Sequence, residues 1–357
     1  MVLFNGKRPQ VAMRPRPLLR QYRSLRLSRA GVFCDAIEAR YVRTCMTAPT
    51  EQLAADIAAE VTGHTPSGIR RFTTGTSHYV FEALFANRLP VVVRIGEQSA
   101  RTEMEGAVYL SGMLRPQGVP LPQILAENAL GEVPWMVLQR LPGTDLGTVI
   151  ANLTAAQLER IAISVSRAQT ITARTGSAGR YGYAVQPEQA PYSSWSQVLE
   201  SSLNRSRQRI MSACLFDPSM VDVVRTVLSG HGEQIDRIEP IPFLHDTTTK
   251  NVIVTQDGSF SGIVDVDNLC FGDPRYPAAL TLAVLLAYGG PTEYVSAWLR
   301  HAEQPDDPIF RLYVSLFLLD LMAEHGQVFN GNERTSAPEE RASLRQAFQD
   351  TVQFATR

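Results

Sequence analysis

The stretch Phe243–Pro274 reads F-L-H-D-T-T-T-K-N-V-I-V-T-Q-D-G-S-F-S-G-I-V-D-V-D-N-L-C-F-G-D-P. Val252, Ile253 and Val254 form one β-type run. Asp257-Gly258 is a hairpin turn signal, and Gly262, Ile263 and Val264 form a second run that ends in Asp265-Val266-Asp267. The pattern predicts a loop, a strand, a tight turn and a strand. A hairpin returns its far end beside its near end, so Asn251, ahead of the first strand, and Asp265, closing the second, should meet at one rim. An amide oxygen and a carboxylate brought together suit Mg²⁺, which takes oxygen ligands and keeps several waters. Asp246 stands five residues before Asn251, close enough to face the same point. A carboxylate beside a metal and a phosphate is what the base of a phosphoryl transfer requires. A D-x-D after a strand is most often a solvated strand end. Here three elements follow one another in order, with a turn where one is needed.

The Asp, Asn, Asp order matches the kinase catalytic loop, but D-F-G, A-P-E and H-R-D are all absent. I-V-D-V-D-N-L-C-F-G-D-P instead resembles the aminoglycoside phosphotransferase family, a kinase-like group acting on small molecules. That family's usual pattern is H-G-D-x-x-x-x-N, a strand pair, I-D-[W/F]-[E/D] and G-D-P. In this chain the Gly between His245 and Asp246 is missing, and Gly272-Asp273-Pro274 completes the pattern. The resemblance spans about residues 49–330. It implies an α+β, bilobal protein-kinase-like fold, with a small antiparallel β-lobe carrying one main helix and a larger, mostly helical lobe. The division is a basic arm over 1–45, a nucleotide-covering lobe over 46–138, and a helical lobe with the catalytic loop and acceptor site over 139–357.

The implied reaction moves the γ-phosphate of ATP, or GTP, to a hydroxyl of a small molecule with Mg²⁺. Asp246 would accept or orient the hydroxyl proton. His245 would brace the loop through backbone carbonyls. Lys250 would touch the γ-phosphate, an exposed Lys being the other reading. Asn251 and Asp265 would hold the metal, Asp267 would assist a second metal or the acceptor, and Asp273 would cap the following turn. Cationic acceptors need acidic groups, and Asp320 and Glu324 lie one turn apart on a helix of the larger lobe.

The small lobe is read on the same resemblance. Thr74-Gly75-Thr76-Ser77, between two strands, has the small residues that let backbone N–H groups approach phosphates; a plain hairpin turn is the alternative. Arg94, in V-V-V-R-I, stands where kinases carry a Lys on the α- and β-phosphates, and Arg binds phosphate through its fork. A helix over Ser99–Leu114 offers Glu103 and Glu105 as its ion-pair partner, and the family's E-x-x-x-x-L selects Glu105. Gln139-Arg140-Leu141-Pro142-Gly143 looks like the hinge, whose backbone at Gln139 and Leu141 would bind an adenine edge. His78, His231 and His301 read as surface residues.

Composition sets the outer bounds. The chain has 357 residues, 44% hydrophobic and 19% charged, with a formal net charge of −1, which makes no case for nucleic acid. Cys34, Cys45, Cys214 and Cys270 are scattered without C-x-x-C, which fits a reducing cytoplasm rather than a disulfide framework or zinc. No run reaches the roughly 18 apolar residues of a membrane span. Residues 1–45 are rich in Arg and poor in acids. They read as an unpacked arm, a targeting segment, or sequence ahead of a start at Met46. A helix is expected from Thr50 to Gly63, followed by an antiparallel meander, a loop over Gly176–Tyr192, and helices from Trp195 onward. Two rival readings are a nucleotide-binding regulator of the same fold that has lost chemistry, and a protein kinase.

Overall fold

The computed structural model describes residues 48–72, 78–329, 332–333 and 336–356. The basic arm, Met46 and the Thr74–Ser77 loop lie outside these residues.

Helix α1 (Glu51–Thr62) starts where the Thr50 hydroxyl accepts the Leu53 N–H, and ends at Gly63 in the left-handed region. It buries Leu53, Ala54, Ile57 and Ala58. The first sheet consists of β1 (Gly68–Phe72), β2 (Tyr79–Leu84), β3 (Val91–Ile95), β4 (Ile124–Asn128) and β5 (Trp135–Gln139), in the order β1-β2-β3-β5-β4. All its pairings are antiparallel. Arg94 lies opposite Val80 on one side and Met136 on the other. Helix α2 (Arg101–Leu114) buries Met104, Ala107, Leu110 and Leu114.

The chain leaves this sheet through Gly143, whose φ is 107°. A Cβ there would lie 1.9 Å from the Val254 carbonyl oxygen, so only Gly permits the crossing. A second sheet follows, ordered β10-β9-β6 from β6 (Thr144–Asp145), β9 (Val252–Val254) and β10 (Phe260–Ile263). A third, β7-β11-β8, comprises β7 (Gly182–Ala184), β8 (Ile241–Leu244) and β11 (Leu269–Gly272).

Helices make up most of the rest: α3 (Leu146–Val149), α4 (Ala155–Ala173), α5 (Trp195–Ala213), α6 (Ser219–Gly230), α7 (Gly232–Ile235), α8 (Tyr276–Tyr288), α9 (Glu293–His301), α10 (Pro308–Glu324) and α11 (Pro338–Ala355). Helix α4 opens with a reciprocal capping box between Thr154 and Gln157. Trp195, on α5, anchors the helical core. Its ring meets Tyr276, Tyr313 and Phe243 edge-on at 5.0, 6.2 and 6.5 Å between centroids, and its Nε1 donates to the Tyr313 hydroxyl at 3.0 Å. A Cβ at position 272 would fall 2.3 Å from the Trp195 ring, which accounts for Gly272. Among the described residues no helix is long and apolar enough to cross a membrane.

The expected helices recur with small shifts at their ends. The region expected as a loop over Gly176–Tyr192 instead contains β7, which pairs with β11.

Candidate active site

The hairpin forms as expected. Val252 faces Ile263, Ile253 faces Gly262 and Val254 faces Phe260, with Gly258 in the turn at φ 76°. The Val264 N–H donates to the Asn251 carbonyl at 2.9 Å, which ties the two ends of the hairpin together beside Asp265.

The loop between β8 and β9 is braced from the helical side. Gln169, buried on α4, accepts the Leu244 N–H at 2.9 Å and donates to the Leu244 carbonyl at 2.8 Å and the Thr247 hydroxyl at 3.1 Å. Within the loop the Thr248 hydroxyl donates to Asp246 Oδ1 at 2.7 Å. Asn251 Nδ2 donates to the Asp246 carbonyl at 3.0 Å. This fixes the amide, and no donor among the described residues takes its Oδ1. Lys250 Nζ stands 3.5 Å from Asp246 Oδ2, with its side chain 52% exposed. Burial tends to raise the Asp246 pKa, but Lys250, His245 and the Thr248 hydrogen bonds outweigh it and hold the carboxylate below its usual value. Lys250 is held above its ordinary value, first by Asp246.

His245 does not brace the loop through carbonyls. Its Nδ1 has no hydrogen-bond partner, and its Nε2 lies 3.5 Å from the Tyr183 hydroxyl. Its ring packs edge-on against Tyr183 at 4.7 Å and beside Tyr276 and Phe317 at 6.0 and 6.2 Å. This apolar nest lowers its pKa to about 4, burial being the largest cause.

On the side of the first sheet the cluster centres on Arg94, which is 5% exposed rather than a solvated strand end. Its Nη1 donates to Asp267 Oδ1 at 2.7 Å while its Nη2 donates to Asp267 Oδ2. The same Nη2 lies 3.2 Å from Asp265 Oδ1 and 2.7 Å from His78 Nδ1. His78 is therefore a buried residue and not a surface one. Burial first, and then Arg94, lowers its pKa to about 3, so the ring is neutral and Nδ1 accepts from the guanidinium. Asp265 has φ 65°, a left-handed conformation that Asp tolerates better than most residues. Its side chain is 51% open to the cleft. Its carboxyl nevertheless lies above the usual range, because loss of bulk solvation outweighs the pull of Arg94.

The choice of Glu105 as the partner of Arg94 is wrong. Glu105 is exposed, whereas Glu103 lies 3.7 Å from His78 Nε2. Helical periodicity holds the reason. The buried stripe runs Met104, Ala107, Leu110, Leu114, with Glu103 flanking it, and Glu105 shares the outer face with exposed Tyr109.

Between α2, β5 and the Asp265 loop lies a small open pocket lined by residues including Arg94, Leu121, Met136, Leu138, Ile263 and Asp265. At the hinge the Gln139 N–H is already given to the Gln123 carbonyl at 2.8 Å, because Gln139 still belongs to the sheet edge. The Leu141 N–H takes no acceptor among the described residues. Arg140, which sequence reasoning passed over, braces the hinge by donating to Glu82 at 2.8 Å and to the Gly143 carbonyl at 3.0 Å. Asp273 accepts the Arg275 N–H at 2.9 Å and the Tyr313 hydroxyl at 3.0 Å, which anchors the start of α8. Asp320 is bound inside the protein by Ser202, Ser206 and Arg205, so it tethers α10 to α5.

The chain belongs to the phosphotransferase enzyme family (APH), whose sequence model matches residues 68–313. Solved structures agree on the fold. A thermostable mutant of aminoglycoside phosphotransferase APH(4)-Ia, in ternary complex with AMP-PNP and hygromycin B, is 17% identical with a TM-score of 0.60, over 84% of this chain and 97% of that one. Aminoglycoside phosphotransferase APH(2'')-Ib with ADP is 11% identical with a TM-score of 0.56, over 84% and 99%. An aminoglycoside 2'-phosphotransferase IIIa in its GDP complex is 14% identical with a TM-score of 0.57, over 86% and 96%. No curated protein sequence matches the chain.

Proposed function

We propose that this phosphotransferase moves the γ-phosphate of ATP, or GTP, to a hydroxyl of a small molecule. One arrangement carries the reading: Asp246, Asn251 and Asp265 stand around a hairpin rim, with the Asn251 amide fixed on the Asp246 carbonyl. Both adenine and guanine nucleotides occur in structures of the same fold. The Asn251 Oδ1 and the half-open Asp265 carboxylate form a hard oxygen donor set that fits Mg²⁺. Bound there, the ion would offset charge building up on the transferred phosphoryl group. Asp246 is ionised at neutral pH and is the group that would accept or orient the acceptor's proton. Lys250, on the same carboxylate, is in reach to steady it and to meet a phosphate oxygen. The neutral His245 packs the loop rather than titrating in the reaction.

Asp320 is spent on Ser202, Ser206 and Arg205 and so is not offered to a cationic acceptor, while Glu324 acts on Lys250 from the same helix. A nucleotide-binding regulator is the second reading, favoured by the hold of Arg94 on both Asp265 and Asp267. One panel of hydroxylated small molecules, assayed for ATP and GTP consumption with Asp246→Asn as control, separates the two. Acceptor-dependent turnover that disappears in Asp246→Asn supports the enzyme. Mg²⁺-dependent nucleotide binding without turnover on any acceptor supports the regulator. Absence of any nucleotide binding overturns both.

A further inference from the structure

The ion pair that sequence reasoning assigned to β3 and α2 is made somewhere else. Arg94 forks onto both oxygens of Asp267, and that side chain is only 17% exposed. Glu103, the α2 acid beside this cluster, is 44% exposed and reaches His78 rather than Arg94. Helix α2 meets the loop through backbone instead: a Cβ on Gly106 would lie 2.4 Å from the Asp267 carbonyl oxygen.

We propose that Asp267 is the anchor of Arg94 and not a metal ligand, and that the anchored Arg94 positions Asp265. This rests on the proposed function for the role of Asp265, while the ion pair itself stands without it. Three observations support the assignment. First, the planar guanidinium satisfies both Asp267 oxygens at once, a geometry a Lys ammonium cannot reproduce. Second, ligating atoms of His78, Glu103 and Asp267 lie within 4.8 Å of one another, a spacing that would suit a cation. The guanidinium already donates to two of the three, His78 and Asp267, and so supplies that charge. A divalent ion on Asp267 would sit beside a fixed positive charge in a buried setting, where repulsion is weakly screened. Third, the Nη2 that bonds Asp267 also reaches Asp265 Oδ1 at 3.2 Å. Among the described residues nothing binds Asp265 Oδ2, so one oxygen is held by protein and the other is left for a ligand. The site then has one protein-built position for a divalent ion, at Asn251 and Asp265.

The test is a double-mutant cycle of Arg94→Gln and Asp267→Asn, read first as melting temperature without nucleotide and then as nucleotide affinity across a Mg²⁺ titration. Each single change should lower the melting temperature by roughly 5–10 °C, since it strands a buried charge. The double variant should fall little further. Both singles should weaken nucleotide binding and raise the Mg²⁺ midpoint by a similar factor, short of the shift in Asp265→Asn, and the double no more than either. Asp265→Asn should move that midpoint about tenfold or more. If Asp267→Asn does not fold, Asp267→Glu, which keeps the charge, replaces it and should retain most of the affinity. Additive losses in the cycle would overturn the pairing. A Mg²⁺ midpoint displaced as far by Asp267→Asn as by Asp265→Asn would make Asp267 a ligand after all. Wild-type protein that binds neither ATP nor GTP would defeat the proposed function, and the cycle without nucleotide would still decide the ion pair.

Discussion

The two sides of the cleft are held by different kinds of bond. On the side of the loop after β8, Asp246 accepts a short-range hydrogen bond from Thr248 and Asn251 donates to the loop's own backbone, with Gln169 as a neutral brace from α4. On the opposite side, Asp265 and Asp267 are fixed by a cation reaching across from β3, 173 residues away in sequence for Asp267. A local hydrogen-bonded loop keeps its geometry whether or not the lobes move. A long-range ion pair ties the Asp265–Asp267 loop to the first sheet, so its geometry depends on how the two parts of the cleft meet. On the proposed function, the proton acceptor sits on a locally bonded loop and the metal ligand on one tied to the first sheet.

The largest expected effect isolates the first side. Asp246→Asn keeps size and a hydrogen-bonding oxygen but removes the proton acceptor. Turnover should fall by about 10²–10⁴-fold, while nucleotide affinity, measured by calorimetry, changes little. Wild-type turnover in that variant would end the contrast as drawn. The next effect belongs to the second side. Asp265→Asn should weaken Mg²⁺-dependent nucleotide binding about tenfold or more, through loss of a ligand's charge, with little change in melting temperature because the residue is half open.

A smaller effect probes the contact between α2 and the loop. Gly106→Ala would put a methyl group against the Asp267 carbonyl, and overpacking of this kind costs about 1–3 kcal/mol. Urea unfolding measures the loss, and nucleotide affinity should drop with it, whereas the same change at Gly230, where a Cβ meets nothing, should do neither. The smallest effect on turnover is the acid response. His245 has a folded-state pKa of about 4 against an ordinary 6.5. Between those values the unfolded chain binds a proton that the folded chain excludes, so stability falls as pH drops through that window. His78, at about 3, acts in the same sense. In His245→Asn the loss of melting temperature between pH 7.5 and 5 should be shallower. An unchanged slope would remove His245 from the account.

The catalytic hairpin was legible because its signals are local: a β run, an Asp-Gly turn, a second β run and acids at both ends. The helical lobe was legible from apolar periodicity and from caps such as Thr154 with Gln157. The strands β7, β8 and β11 were not foreseen, since, unlike the equally short β9 and β10, they pair with partners distant in sequence and no turn signal joins them. The ion pairs around Arg94 were beyond reach for another reason. Nothing in the neighbourhood of Arg94 in sequence says that its partner is Asp267. Glu103 could have been found by following the buried stripe of α2 instead of a family spacing. Gln169 carried a signal too, because an amide inside the apolar stripe of α4 must find a partner.

The chain has lysines only at positions 7 and 250. An amine-selective reagent therefore meets, within the described residues, a single ε-amino group, and that group sits on the rim of the cleft. Its ion pair with Asp246 keeps it protonated and slow to acylate. Acylation of Lys250 thus becomes a built-in reporter of the electrostatic state of its neighbouring carboxylate, readable by peptide mass mapping, which separates it from Lys7 and the terminal amine, without any engineered label. Faster modification signals a carboxylate that has been neutralised, and protection signals a cleft that has been filled.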